Sequence, residues 1–400
     1  MGNGPALGPD HSDGAGMNGE EIDRDPMIGQ VVGDSIKRWL RCESDDAKKE
    51  HVLDSYHRFY LRRWVFLSAC IVILFICMGY TLTVGDYKIG FWDCFGIAWD
   101  HINGDVDQTD IGKLRDYVIW QLRVPIVLVG VIAGVALSIC GVAMQSILKN
   151  PLADPYTTGV SSGAGFGATM AIVAGASIVQ DEYAIVINAF IFSLVPTAVI
   201  LLISKIKNSS PTTMIMAGVA IMYIFNALST IMKLWGDPNS LAAILEWQVG
   251  SIGGIKWDNI PLMAVATLAG VIVIQLLSRK LNVLATGEDN AKALGLDVDR
   301  LRTVMMVVVA LLAATIVSFT GLIGFIGLVA PHVTRIIIGA DNRYLVPISA
   351  ILGAIILLAA EIVGKTVIAP SVIPVGVITS LLGGPLFLWL ILRRKSEVWG

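Results

Sequence analysis

Three places in this 400-residue chain carry residue types and spacings that could do chemistry. The first, Ala359-Ala-Glu-Ile-Val-Gly364-Lys365-Thr366, ends like a loop that cradles phosphates. Such a loop needs glycine at its first position and a strand before it. Here Ala359 replaces the glycine and the segment closes an apolar helix, so no nucleotide site is read. The second, Gly163-Ala-Gly165-Phe-Gly167, would suit a dinucleotide pyrophosphate. Ala168 takes the last glycine position, however, and no strand precedes it. The third is Glu361, the one clear acid inside an apolar run, with Lys365 one helical turn away; a local ion pair accounts for both. His332 stands alone after Pro331, and a hydrogen bond to a neighbouring helix is its default role. The five cysteines, Cys42, Cys70, Cys77, Cys94 and Cys140, show no paired spacing, so neither a disulfide framework nor a metal site is implied. No cofactor is expected. An enzyme buried in a membrane would need clustered His and carboxylates, and an ion-coupled carrier would need intramembrane acids. Neither is supplied.

What remains is mechanical rather than chemical. Leu281–Arg302, LNVLATGEDNAKALGLDVDRLR, is a polar interruption between two apolar runs, Ile260–Leu277 and Thr303–Phe319. It reads as two short helices joined at a glycine. Thr286 with Asp289 suggests a capping box, and Gly295 is placed to end the first helix in the left-handed conformation. A shaped, charged elbow of this kind suits a segment that receives force from a soluble partner.

The elements that must carry the elbow are membrane spans. Charged residues make up 15% of the chain against 55% hydrophobic, far below the quarter usual in soluble domains. At roughly 20 apolar residues per crossing, ten candidate spans emerge: Trp64–Thr83, Pro125–Leu148, Thr158–Ala176, Ala184–Ser204, Thr212–Lys233, Ile260–Leu277, Thr303–Phe319, Ile323–Ile338, Leu345–Val363 and Val375–Leu392. The pairs Gly130/Gly134, Gly159/Gly163 and Gly163/Gly167 have the spacing that lets membrane helices approach closely. With a cytoplasmic N-terminus, one side gathers the basic residues of the tail, Lys149, Lys205, Lys207, the 279–302 cluster, Arg335, Arg343 and Arg393–Lys395. Lys88, Lys113, Arg115, Arg123, Lys233, Lys256 and Lys365 fall opposite. The asymmetry places both termini and the elbow in the cytoplasm. No basic stripe points to nucleic acid. The outer segment Gly85–Gln121 is acidic.

Residues 1–60 read as a separate cytoplasmic tail, disordered over Met1–Glu20 and helical toward Arg63, ahead of a membrane domain at 61–400. Two inner turns have definite shape. Asn150-Pro-Leu-Ala-Asp-Pro155 stops the second span, and Ser209-Ser-Pro-Thr-Thr213 opens the fifth. Each reads either as a plain connection or as part of an inner constriction.

The run RVPIVLVGVIAGVALSICGVAMQSILKNPLADPYTTGVSSGAGFGA (Arg123–Ala168) resembles the signature of FecCD-type permeases. These are the membrane subunits of binding-protein-dependent ABC importers for ferric siderophores, haem and cobalamin. GEDNAKALGLDVDRLR (Gly287–Arg302), GLIGFIGLVAPHVTRIIIGADNRYLVP (Gly321–Pro347) and IPVGVITSLLGGPLFLWLILRRK (Ile373–Lys395) extend the likeness, which spans roughly Asp116 to Lys395.

The resemblance implies an all-α, polytopic fold of about ten transmembrane helices. It implies a homodimer in the cell membrane with the path on the dimer axis. Two ABC ATPase subunits would dock inside and an extracytoplasmic substrate-binding protein outside, so that ATP hydrolysis resides in a partner and this chain is no enzyme. Gly287–Gly295 matches the family's coupling helix, with Gly287, Glu288, Ala291, Leu294 and Gly295 as the coupling residues. Asn150 and Leu152 match one part of the cytoplasmic gate, and Ser210 and Thr212 a second. Arg123 and Lys365 match cations that meet the binding protein, whereas Ile126 stands where a third is expected and Arg115 or Lys113 would have to compensate. Ferric chelates are the favoured cargo, with cobalamin or haem as alternatives and an ion-coupled carrier as the rival class.

Overall fold

The structure, a computed structural model, describes residues 46–177, 183–207 and 210–392. The tail before Asp46, Ser209 and the basic Arg393–Lys395 run lie outside the described residues. The chain divides into two units, Met1–Leu61 and Arg62–Gly400. The first is described from Asp46, where helix α1 (Asp46–Thr83) begins. The second holds the remainder of α1 and every later element.

Every regular element described is helical. After α1 come α2 (Phe91–Asn103) and α3 (Asp110–Tyr117), which runs through a π-helical turn at Val118–Arg123 into α4 (Val124–Ile147). A 3-10 turn at Pro155–Thr158 leads into α5 (Val160–Ala174), α6 (Ala184–Lys207), α7 (Pro211–Lys233) and α8 (Pro238–Val249). The chain continues through α9 (Ile260–Ala285), α10 (Glu288–Ala293), α11 (Val298–Thr320), α12 (Ile326–Ile338), α13 (Asn342–Thr366) and α14 (Val375–Leu392). Seven apolar stretches among the described residues are long enough to cross a membrane. The three apolar helices that are shorter, Val160–Ala174, Ile326–Ile338 and Val375–Leu386, correspond to the third, eighth and tenth expected spans. Two of them are the spans in which glycine is most frequent. The acidic segment Gly85–Gln121, expected outside as a loop, is instead mostly helical, as α2 and α3.

Helix α4 forms the centre. Its sequence is apolar all round, which fits a helix buried on every side, and it packs against α9, α11, α12 and α13. Small residues make the approach possible. A β-carbon on Gly134 would come within 2.6 Å of the Ala354 Cα, and one on Gly353 would collide with the Gly134 carbonyl. Ser138 Oγ donates to the Ser349 carbonyl at 2.6 Å across the same seam. The pairing of residue 134 with 354, 138 with 349 and 146 with 342 shows that α4 and α13 run antiparallel. A second antiparallel seam joins α5 to α6, where Gly163 and Gly167 rest on the carbonyls of Phe192 and Asn188. Gly134, Gly163 and Gly167 thus meet the expected packing role by backbone-to-backbone contact, whereas Gly130 faces the Leu358 side chain and Gly159 the Pro196 ring.

Candidate functional site

The elbow begins where α9 ends. Thr286 does not cap the next helix as expected: its hydroxyl donates back to the Val283 carbonyl at 2.8 Å. Gly287 occupies the N-cap position at φ +122, a conformation that glycine alone takes without strain. The acids Glu288 and Asp289 then sit in the first turn of α10, where the helix dipole favours them. Gly295 at φ +81 ends the helix as expected, and the Leu296 amide closes back on the Ala291 carbonyl at 3.0 Å. The second short helix is not separate, because Val298 already starts the long α11, capped by Asp297 through the Arg300 amide at 2.9 Å.

Burial divides the elbow into an inner and an outer side. Ala291 is fully enclosed, while Leu294 is 71% exposed beside the exposed Ala293 and Gly295. Beneath lies Arg302, 1% exposed, whose guanidinium reaches Glu288 Oε2 at 3.4 Å and Asp299 Oδ1 at 3.8 Å. Glu288 also faces Lys292 at 3.8 Å. The Arg302–Glu288 pair joins α10 to α11, and without Glu288 the buried guanidinium would keep only Asp299, an exposed acid of its own helix.

The root of the elbow is bound to the bundle. Asn282 Oδ1 accepts from the Asn342 amide at 2.8 Å and from Asn342 Nδ2 at 3.0 Å, and Asn282 Nδ2 donates to Asp341 Oδ1 at 2.7 Å. Ser146, in the last turn of α4, donates to Asn342 Oδ1 at 3.1 Å. Gln145 Oε1 accepts from Arg335 Nη1 at 3.1 Å, and Gln145 Nε2 donates to the Gly327 carbonyl at 3.3 Å. The ends of α4, α9, α12 and α13 therefore meet in one polar junction. Sequence reasoning missed these residues. An intramembrane glutamine and the asparagines at span ends were the available signals, but their partners lie far along the chain, Asn342 being 60 positions from Asn282.

The loop that carries the candidate gate residues Asn150 and Leu152 lies at the same end. Asn150 bends the chain after α4, with its Oδ1 accepting from the Leu152 amide at 3.0 Å, and Leu152 is exposed. Asp154 then caps the 3-10 turn through the Thr157 amide at 2.8 Å. Burial pushes its carboxyl up to about 6, against the lowering effect of backbone amides such as that of Thr157. Ser210 caps α7 by accepting from the Thr213 amide at 3.3 Å, and Thr212 is exposed in the first turn. The 3-10 turn seats on Gly218 of α7, so the two candidate gate segments stand on adjoining elements. A cavity of about 300 Å³ is lined jointly by Ala285 of the elbow root, by Lys149 and Pro151 of the candidate gate loop, and by Ser146, Arg335 and Asn342.

Arg123 and Lys365 lie at the opposite end, level with each other in the antiparallel α4–α13 register. Arg123 is 5% exposed; its guanidinium donates to the Leu82 carbonyl at 2.7 Å, the Thr83 carbonyl at 3.3 Å and the Tyr87 carbonyl. Lys365 pairs with Glu361 at 2.9 Å, the local ion pair expected for that spacing. Ile126 is partly buried against the core. Among the described residues no group of three or more His, Cys, Asp or Glu is placed to hold a metal.

Residues 71–393 match the FecCD transport family. A hemin transport system permease protein from Yersinia pestis is 38% identical over 70% of this chain and 84% of its own length. A cobalamin import system permease protein from Halobacterium salinarum is 32% identical over 72% of this chain and 77% of its own. Among solved structures, a putative metal-chelate type ABC transporter in an inward-facing conformation superposes with a TM-score of 0.71 at 29% identity, covering 82% of this chain and 99% of that one.

Proposed function

This chain belongs to the FecCD transport family, and from that premise we propose that it is the multi-pass permease subunit of an ATP-driven, binding-protein-dependent importer of metal chelates, with a ferric siderophore as cargo. The observation that carries the reading is the elbow. A short helix with a buried Ala291, an outward Leu294 and a buried Arg302 beneath it is built to be pushed without deforming. Its root shares a cavity wall with the loop that holds Asn150 and Leu152.

In this reading two ABC ATPase subunits grip Gly287–Gly295 from the cytoplasm, and a second copy of the chain completes the path. Closing of the ATPases on ATP displaces α10. The polar junction carries the displacement to α4, α12 and α13, and the loops at Asn150–Leu152 and Ser210–Thr212 open or close. The chain itself makes no bond. ATP and the loaded binding protein need only favour different packings of the helices, by roughly 5 kcal/mol for a near-complete switch of populations. Both termini face the cytoplasm, in keeping with the distribution of Lys and Arg.

At the outer end the geometry supports anchoring rather than docking for Arg123, whose donors are engaged by three carbonyls. Lys365 meets the binding protein only if it trades Glu361 for a partner's acid. Haem and cobalamin are the competing cargoes; one relative is named a hemin and another a cobalamin permease protein.

The test is uptake into vesicles holding this permease with its ATPase and binding protein, offered labelled ferric siderophore, haem and cobalamin in parallel. ATP-dependent uptake of one cargo, lost when Gly287–Gly295 is scrambled, supports the reading and names the substrate. Uptake driven by an ion gradient without the ATPase sinks it in favour of a secondary carrier.

A further inference from the structure

Helix α2 has three faces of different character. Cys94, Ile97 and Ala98 turn inward onto a small core with Leu82, Ile89, Ile119 and Val127. Asp93 and Asp100 lie on one flank and line an open cavity of about 290 Å³ with Asp107, Arg115 and Asp116. The opposite flank carries Trp92, Phe95, Trp99 and Ile102, at helical spacing, with Trp92 80% exposed and Trp99 67% exposed. At 3.6 residues per turn the acidic and aromatic flanks are separated by about a third of a turn. A helix wet on both flanks does not need the tryptophans, and a helix enclosed on both would not carry the aspartates.

The position of the aromatic flank says what covers it. Phe91 and Phe95 close over Gly79, near the outer end of α1, where a β-carbon would lie 2.7 Å from the Phe91 ring and 2.9 Å from Phe95. The flank thereby continues the outward apolar surface of α1, formed by Val72, Phe75, Ile76 and Tyr80 on a stretch long and apolar enough to span. Only the short connection from Val84 to Gly90 separates the two helices. Tryptophan is the residue enriched where hydrocarbon gives way to headgroups, because its ring is mostly apolar and its N–H needs a polar partner.

We propose that α2 lies along the outer boundary of the bilayer, with Trp92, Phe95, Trp99 and Ile102 seated among lipid headgroups and upper acyl chains and the Asp93/Asp100 flank facing water. The occupant of the aromatic flank is membrane lipid. A docking protein approaching from outside would meet the acidic flank first. The helix then fixes the depth of the outer end of α1, to which Arg123 is bound through the Leu82 and Thr83 carbonyls.

The test uses the full-length chain in nanodiscs whose lipids carry bromine high on the acyl chain, where it quenches indole emission on contact. The difference in emission between the wild type and Trp92→Phe/Trp99→Phe reports these two rings. That difference is expected to be quenched by the brominated lipid and untouched by aqueous iodide. Quenching by iodide but not by the lipid overturns the proposal. So does shielding from iodide that arises only when an extracytoplasmic binding protein is added, which makes the flank a protein-docking surface. Should the double variant fail to fold, hydroxyl-radical footprinting of the wild type in the same nanodiscs decides. Both indoles then oxidise several-fold more slowly than in the unfolded chain if lipid covers them, and at the unfolded rate if they face water.

Discussion

Asn342 is joined twice to Asn282, by its backbone amide at 2.8 Å and its side-chain amide at 3.0 Å, so that the first turn of α13 is fastened to the root of the elbow. Removing the Asn282 side chain leaves a buried amide and an NH₂ group without acceptors, at about 1–3 kcal/mol for each group left unpaired. Asn282→Ala is therefore expected to loosen the elbow from the bundle while leaving Gly287–Gly295 itself intact. In reconstituted vesicles ATP hydrolysis by the partner continues, and cargo moved per ATP falls about tenfold, corresponding to about 1.4 kcal/mol of coupling. Equal loss of hydrolysis and uptake would mean that the junction only supports folding.

Arg123 offers a clean separation of anchoring from docking. A fixed guanidinium fork reaches the carbonyls of Leu82, Thr83 and Tyr87 together, whereas an ammonium supplies a point charge without that geometry. Arg123→Lys should lower thermal stability by about 2 kcal/mol or more, by analogy with other buried charged hydrogen bonds. Affinity for the binding protein should change little. Unchanged melting with weakened binding would restore the docking role.

Glu361 and Lys365 are both largely buried and lie 2.9 Å apart. Breaking such a pair strands a charge at about 3–5 kcal/mol, while replacing both partners is much less harmful. Lys365→Met alone should melt early, and Glu361→Gln/Lys365→Met should recover most of the loss. A double variant no better than the single one would show that Lys365 acts elsewhere.

Asp154 gives the candidate gate loop a pH dependence. Its folded carboxyl titrates at about 6, above the ordinary 3.8, because burial disfavours the charge. The folded state thus holds a proton that the unfolded chain releases, and stability falls as pH rises from about 4 to 6, then levels off. Asp154→Asn keeps the oxygen that accepts from the Thr157 amide and removes the charge. Melting curves of the variant should be flat across that window and higher than wild type above about pH 6; a retained slope would assign it to another group.

Gly134→Leu drives a side chain into the Ala354 backbone and should cost about 3 kcal/mol or more, read as lost folded yield. Gly96→Ala, with no heavy atom within 4 Å, should gain up to about 1 kcal/mol as a helix position. Similar outcomes for the two would refute the close α4–α13 seam.

What the sequence determined by itself is whatever depends on neighbours along the chain. Ten apolar runs, the polar elbow, the left-handed stop at Gly295 and the one-turn pairing of Glu361 with Lys365 all follow from local hydropathy, glycine geometry and helical spacing. The Thr286 cap failed for a local reason of its own, because its hydroxyl found the Val283 carbonyl first. The tertiary structure decided whatever depends on which helices touch. That Arg123 is buried rather than presented, that Asn282 meets Asn342 and that Gln145 meets Arg335 are set by packing between segments far apart in the sequence. A side chain's type fixes what bonds it can make; only the seams between helices, opened by small residues such as Gly134 and Gly353, fix which partner comes within reach.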